Sequence, residues 1–252
     1  MDNDAAKGTA RERLAERRAR EDRRARRRRT LGIAVGAVAV LAVVGAAATT
    51  VLVRGGGEAA APQGETAPLT RQPDGSVVMA RPGVIAPVLE IYEDFQCPAC
   101  KAMEDATGAT IKQLAAEGEV KVVYRPFSLF RALPEPISGN SLRALNASLC
   151  APADKWLAYH DRLFAEQGPE TARGFENADL IAWGRQVGIT GGDFASCVTG
   201  GARKAQIDQA NDHAARNGVR STPWLALDGR KLERDAVYTP GGLREAVERA
   251  AR

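Results

Sequence analysis

Two cysteines separated by two residues, Cys97-Pro98-Ala99-Cys100, stand where an apolar strand pattern gives way to a helical one. Val88-Leu89-Glu90-Ile91-Tyr92 reads as a strand, and Met103, Ala106, Thr110 and Leu114 recur at helical spacing until Gly118 stops the pattern. A dithiol at such a joint puts Cys97 at a helix N-terminus, where unpaired N–H groups and the helix dipole favour a thiolate. Cys100, one turn on, is placed to close a disulfide or resolve a mixed one. Pro98 has no backbone donor to lose in that first turn. The other elements follow the same logic. Val77 to Met79, Val120 to Tyr124, Trp224 to Leu227 and Arg230 to Glu233 read as strands, with a turn at Asp228-Gly229. A helical block runs from about 134 to 217, and Thr239 caps a last helix with Pro240 in its first position. The order predicts an α/β fold with a mixed sheet and helices on both faces.

The chain ahead of this domain is of a different kind. Residues 1–29 hold twelve Lys/Arg against six Asp/Glu, so of the net charge of +4 the remaining residues contribute −2. The basic pI of about 9.0 therefore belongs to the tail, and no nucleic acid is expected as a partner of the folded part. The 23 uncharged residues Leu31 to Val53 are long enough at ~1.5 Å per residue to cross a ~30 Å hydrocarbon core. They predict one transmembrane signal-anchor, with a cleaved signal peptide as the competing reading because Ala46-Ala47-Ala48 offers a cleavage site. Arginines precede the run and only Arg54 follows it, which places residues 1–30 in the cytoplasm and the rest of this single-pass cell-membrane protein outside. Residues 54–75, rich in Gly, Pro and Ala, read as a flexible linker, leaving 76–252 as one domain.

The dithiol has duller readings. Zinc fits poorly, because there is no second CxxC and His160 and His213 lie 53 positions apart, so no metal is expected. An inert disulfide between cysteines so close would gain little from chain entropy. His160 falls on an apolar helical stripe and His213 on an Ala-rich helix, and both read as structural or solvated.

Glu93 to Cys100 (EDFQCPAC), Val122 to Phe127 (VVYRPF) and Gly218 to Pro223 (GVRSTP) together resemble the DsbA-like family of extracytoplasmic thiol:disulfide oxidoreductases. The likeness spans roughly residues 76–252 and implies a thioredoxin-like fold with an inserted helical subdomain over about 134–217. It implies catalysis by Cys97 and Cys100 without a cofactor, on a turn formed by Pro98 and Ala99. It also implies a cis bond before Pro223, with Thr222 and Pro223 binding substrate opposite the dithiol. Glu90, seven residues before Cys97, takes the place of the family's buried proton-relaying acid, while Glu93 and Asp94 read as solvated loop residues. Ala99 stands where strongly oxidising relatives carry His, which points to an intermediate potential. Trp224 follows the loop proline and reads equally as groove or core. Cys150 and Cys197, an even remainder in an oxidising compartment, are expected to form a structural disulfide.

The expected partners are reduced or unfolded secreted proteins and a membrane-embedded reoxidising protein. A reductase or isomerase, a non-catalytic peptide-binding module and a thiol peroxidase stand as alternatives.

Overall fold

The computed structural model describes residues 66–252; the basic tail, the apolar run 31–53 and the linker as far as residue 65 lie outside the described residues. Among the described residues no helix is long and apolar enough to cross a membrane.

Six strands form one sheet: β1 (Leu69–Arg71), β2 (Val77–Met79), β3 (Val88–Glu93), β4 (Lys121–Pro126), β5 (Trp224–Leu227) and β6 (Arg230–Lys231). Their spatial order is β1-β2-β4-β3-β5-β6. Only β3 and β4 run parallel, in register from Val88 opposite Lys121 to Glu93 opposite Pro126. Both are buried under helices, as a parallel pair requires. Between β3 and β4 the chain forms α1 (Pro98–Met103), a π-helical turn (Glu104–Gly108) and α2 (Ala109–Glu117). Gly118 ends this helix at φ +82, a left-handed position that suits glycine.

Five helices lie between β4 and β5, the insertion expected over 134–217: α3 (Ile137–Cys150), α4 (Ala153–Ala165), α5 (Asn177–Gln186), α6 (Gly192–Thr199) and α7 (Lys204–Arg216). After the sheet come α8 (Arg234–Tyr238), which the sequence pattern did not announce, and α9 (Pro240–Ala250). The Thr239 hydroxyl caps α9 by accepting from the Gly242 N–H at 3.1 Å.

Strand alternation divides the packing. Leu89, Ile91, Val122, Tyr124 and Leu225 face a large core shared with Cys100, Met103, Leu114, Trp156, Leu163 and Leu243. Tyr92, Phe127, Ala214 and Val219 form a small cluster on the opposite face. Trp224 sits against this second cluster with Lys231 Nζ 4.4 Å above its ring, so it is a packing residue there.

The linker expected over 54–75 is too long at its C-terminal end. Residues 69–71 pair with β2, and Arg71 donates to the carbonyls of Gly75, Ser148 and Ala151 at 3.1, 3.1 and 2.8 Å. Three residues among Pro, Gly and Gln carry too little apolar alternation to show as a strand, and cross-chain bonds from one arginine hold them.

Cys150 and Cys197 are joined, tying the end of α3 to α6 across 47 positions. Closing a loop of that size is worth about 4 kcal/mol in the chain-entropy picture. Replacing both with Ser is expected to lower the melting temperature of the oxidised protein by roughly 10 °C. An unchanged melting temperature would show that the bridge restrains nothing.

Candidate active site

β3 ends at Glu93, and five residues later, at Pro98, the chain is helical. Asp94 makes the turn. Its carboxylate accepts from the Gln96 N–H at 2.9 Å, the Ser141 hydroxyl at 2.7 Å and the Phe130 N–H at 3.3 Å, and its carbonyl accepts from the Cys97 N–H at 2.9 Å. A carboxylate bonded to the amide two residues on is an Asx-turn, here only 1% exposed. The expectation that Asp94 is solvated is thus corrected. Burial pushes its carboxyl up to about 6 although three donors oppose this.

Cys97 is the residue just ahead of α1, in extended backbone, and its carbonyl accepts from the N–H groups of Cys100 and Lys101 at 3.1 and 3.2 Å. Pro98 occupies the first turn, and with Ala99 forms the link between the sulfurs. Both thiols are free, Cys97 at 5% exposure and Cys100 at 0%. Their environments split them. The hydrogen bond from Cys100 does most to lower Cys97, burial opposes it, and Thr222 with the N–H groups of Cys100 and Ala99 carries the thiol down to about 6. Burial, the Cys97 sulfur and the charge of Glu93 hold Cys100 well above the ordinary thiol value. One cysteine is set up as nucleophile and the other as a buried, protonated partner.

The Thr222-Pro223 peptide is cis, and the Thr222 carbonyl lies 3.6 Å from Cys97 Sγ across 125 positions of sequence. The structure therefore brings Cys97, Cys100, Thr222 and Pro223 together. Thr222 Oγ1 is buried without a partner among the described residues, which leaves its hydroxyl free for the sulfur.

Glu90 does not join them. Its carboxylate accepts from Arg125 Nε at 2.7 Å, and Arg125 also holds Asp74 at 2.9 Å. Strand parity is the physical reason for this correction: Glu90 shares a face with Tyr92, while Glu93 shares the core face with Leu89 and Ile91. Glu93 is the buried acid, at 0% exposure and bonded to His160 Nε2 at 2.8 Å.

The helical insertion also grips the dithiol loop, through residues that no local pattern identifies. Gln167 Nε2 donates to the carbonyls of Phe95 and Cys97 at 2.6 and 3.1 Å, Gln96 Nε2 to Glu170 at 2.9 Å, and Lys101 Nζ to Phe164 at 2.9 Å. His213 lies away from the sulfurs, 3.1 Å from the Tyr92 hydroxyl. Glu93, Glu104 and His160 bring ligand-type atoms within 4.8 Å of one another, the spacing a cation would need. Burial opposes charge on the imidazole, while Glu93 and Asp161 raise it to about 10. Both ring nitrogens are engaged by carboxylates, Nε2 by Glu93 and Nδ1 by Asp161, so the imidazole lies in a hydrogen-bonded network.

The family profile described as thioredoxin matches residues 85–249. A disulfide bond oxidoreductase from Mycobacterium tuberculosis, DsbG in its reduced form, is similar at 29% identity, with a TM-score of 0.57 over 68% of this chain and 82% of that one. Oxidised DsbA of the same organism is 29% identical, with a TM-score of 0.57 over 68% and 87% of the two chains. MdbA, a thiol-disulfide oxidoreductase from Corynebacterium diphtheriae, covers 77% of this chain with the whole of its own at a TM-score of 0.60; at 19% identity it speaks to the fold alone. A search of curated proteins finds no match.

Alkylation of the reduced protein by iodoacetamide is expected to modify Cys97 with a midpoint near pH 6 and to spare Cys100. A thiol depressed on folding stabilises the folded state above its unfolded value and loses this as the pH falls through the folded one. The reduced protein should therefore gain stability over Cys97→Ser as pH rises from about 6 to about 9. A midpoint above pH 8 would contradict the geometry.

Proposed function

This chain belongs to the thioredoxin family, and we propose that within it the protein is a DsbA-like thiol–disulfide oxidoreductase that forms disulfides in secreted or cell-envelope proteins. The observation that carries the reading is the placement of the Cys97-Pro98-Ala99-Cys100 dithiol at the start of α1, with the carbonyl of the cis Thr222-Pro223 peptide 3.6 Å from Cys97 Sγ and Cys100 buried one turn deeper. A client thiolate attacks Cys97 Sγ of the oxidised pair, the Cys97–Cys100 bond breaks, and Cys100 leaves and is protonated. A second client thiolate then displaces Cys97 as a thiolate. The client loses two electrons to its new disulfide and the dithiol gains them.

Thr222 and Pro223 form the wall a client strand would meet, with the Thr222 carbonyl as acceptor. A reoxidising membrane partner returns the dithiol to its disulfide. The apolar run 31–53 supports an uncleaved anchor with the catalytic domain outside the membrane, and the Cys150–Cys197 bridge fits an oxidising compartment. A buried Glu93 takes the part first given to Glu90, exchanging a proton with Cys100.

The test is oxidative refolding of a reduced disulfide-containing protein by the oxidised enzyme. We expect stoichiometric transfer that Cys97→Ser abolishes, and Ala99→His is expected to speed it by adding a cation near the thiolate. Reduction of insulin without any oxidation of a reduced client would favour the reductase instead.

Localisation has its own check. A membrane-impermeant maleimide applied to intact cells should label the reduced dithiol, and protection until lysis would overturn the outside orientation.

A further inference from the structure

The Cys150–Cys197 bridge borders a cavity that the exchange chemistry leaves unused. Its volume of about 460 Å³ falls within the ~300–1,000 Å³ usual for small-molecule sites. The end of α3, the start of α6 and the first turn of α7 all contribute to its wall. The bridge ties α3 to α6 at this place, so the cavity is formed before any ligand arrives.

The polar part of the wall is cationic. Arg71 reaches it from β1, and its Nη1 and Nη2 donate only to carbonyls, those of Gly75, Ser148 and Ala151, at 3.1, 3.1 and 2.8 Å. Arg203 reaches it from the position just ahead of α7. The two guanidiniums oppose each other: burial, and after it the charge of Arg203, brings Arg71 down to about 10. Arg203 Nε is buried with no partner among the described residues. Gln206, in the first turn of α7, offers an acceptor in the same condition, for its Oε1 is also buried without a partner there. α7 starts without a side-chain cap, so the positive end of its dipole adds to this wall. Among the described residues Asp193, exposed in the first turn of α6, is the one carboxylate lining the cavity. Leu149, Ile189 and Phe194 make an apolar side.

Buried polar atoms without partners forfeit hydration, and two cations held near one another repel. One kind of ligand removes both costs. A carboxylate accepts from guanidinium N–H groups, an amide N–H beside it donates to an acceptor such as Gln206 Oε1, and an aliphatic side chain covers the apolar side. The last residue of a peptide chain carries these three groups on one α-carbon. A lone inorganic oxyanion supplies no apolar part and leaves most of the cavity unfilled.

We propose that this cavity binds the free carboxyl end of a peptide, with Arg203 and Arg71 on the carboxylate and Gln206 on the last amide N–H. None of these residues belongs to the dithiol or to the Thr222-Pro223 loop, so the site is separate from the exchange chemistry.

The probe is N-acetylleucine, which has the carboxylate, the N–H and an aliphatic side chain. It is titrated by calorimetry into the full-length oxidised protein in detergent, at low ionic strength so that screening does not mask the charges. Saturable binding at one site is expected. N-acetylleucinamide, nearly the same shape without the charge, should bind at least about tenfold more weakly, and Arg203→Gln should weaken N-acetylleucine by a similar factor. Gln206→Leu should weaken it as well, whereas Asp193→Asn should strengthen it by removing the opposing carboxylate. Native protein that shows no saturable binding would overturn the site. Equal binding of acid and amide would do the same, and this comparison requires no variant to fold. Inorganic phosphate binding more tightly than N-acetylleucine would overturn the peptide end as the occupant.

Discussion

The parallel pairing of β3 with β4 is the constraint on which the other features depend. Six consecutive residue pairs, from Val88–Lys121 to Glu93–Pro126, hold the two strands at the centre of the sheet. A parallel pair needs a crossover connection, and here the crossover begins with the dithiol helix. The C-terminal end of β3 therefore aims the chain straight into α1. Cys97 arrives where helix N–H groups lack partners, and Glu93 arrives beneath it on the core face. On the other side β5 runs antiparallel to β3, Leu89 opposite Leu227 and Tyr92 opposite Trp224, so the Thr222-Pro223 loop ahead of β5 comes up against Cys97.

From that placement the unequal cysteines follow. A thiolate at a helix start with donors around it is stabilised, and a thiol one turn deeper, without water, is not ionised. Stabilising the reduced form in this way makes the corresponding disulfide a better oxidant. Ala99 supplies no cation of its own, so the shift in Cys97 comes from Cys100, Thr222 and backbone N–H groups. The helical insertion contributes rigidity: Gln167, Glu170 and Phe164 each hold the loop through a hydrogen bond, and the insertion is itself closed by Cys150–Cys197.

The sequence displays what is local. The strand ahead of Cys97, the helix after it, the caps at Gly118 and Thr239 and the helical block could be read from periodicity and turn chemistry. The Thr222-Pro223 loop was legible through its resemblance alone, since 125 positions separate it from Cys97. What escaped depends on partners distant in sequence. Arg71 holds β1 by bonds to residues 77 and 80 positions away, and Glu93 meets His160 across 67. Strand parity in the sequence separates Glu93 from Glu90, because Leu89, Ile91 and Glu93 share one face while Glu90 pairs with Arg125 on the other. Asp94, a short acid in a loop, carries no local mark of burial, because its Asx-turn to the Gln96 N–H shows only in the fold.

The central claim is that stabilisation of the Cys97 thiolate makes this dithiol an oxidant. Its most direct test is the reduction potential of the Cys97/Cys100 pair, measured by equilibrating the protein in glutathione buffers and trapping free thiols. A value between the ~−270 mV of thioredoxin and the ~−120 mV of DsbA is expected. A potential at or below the thioredoxin value would contradict it.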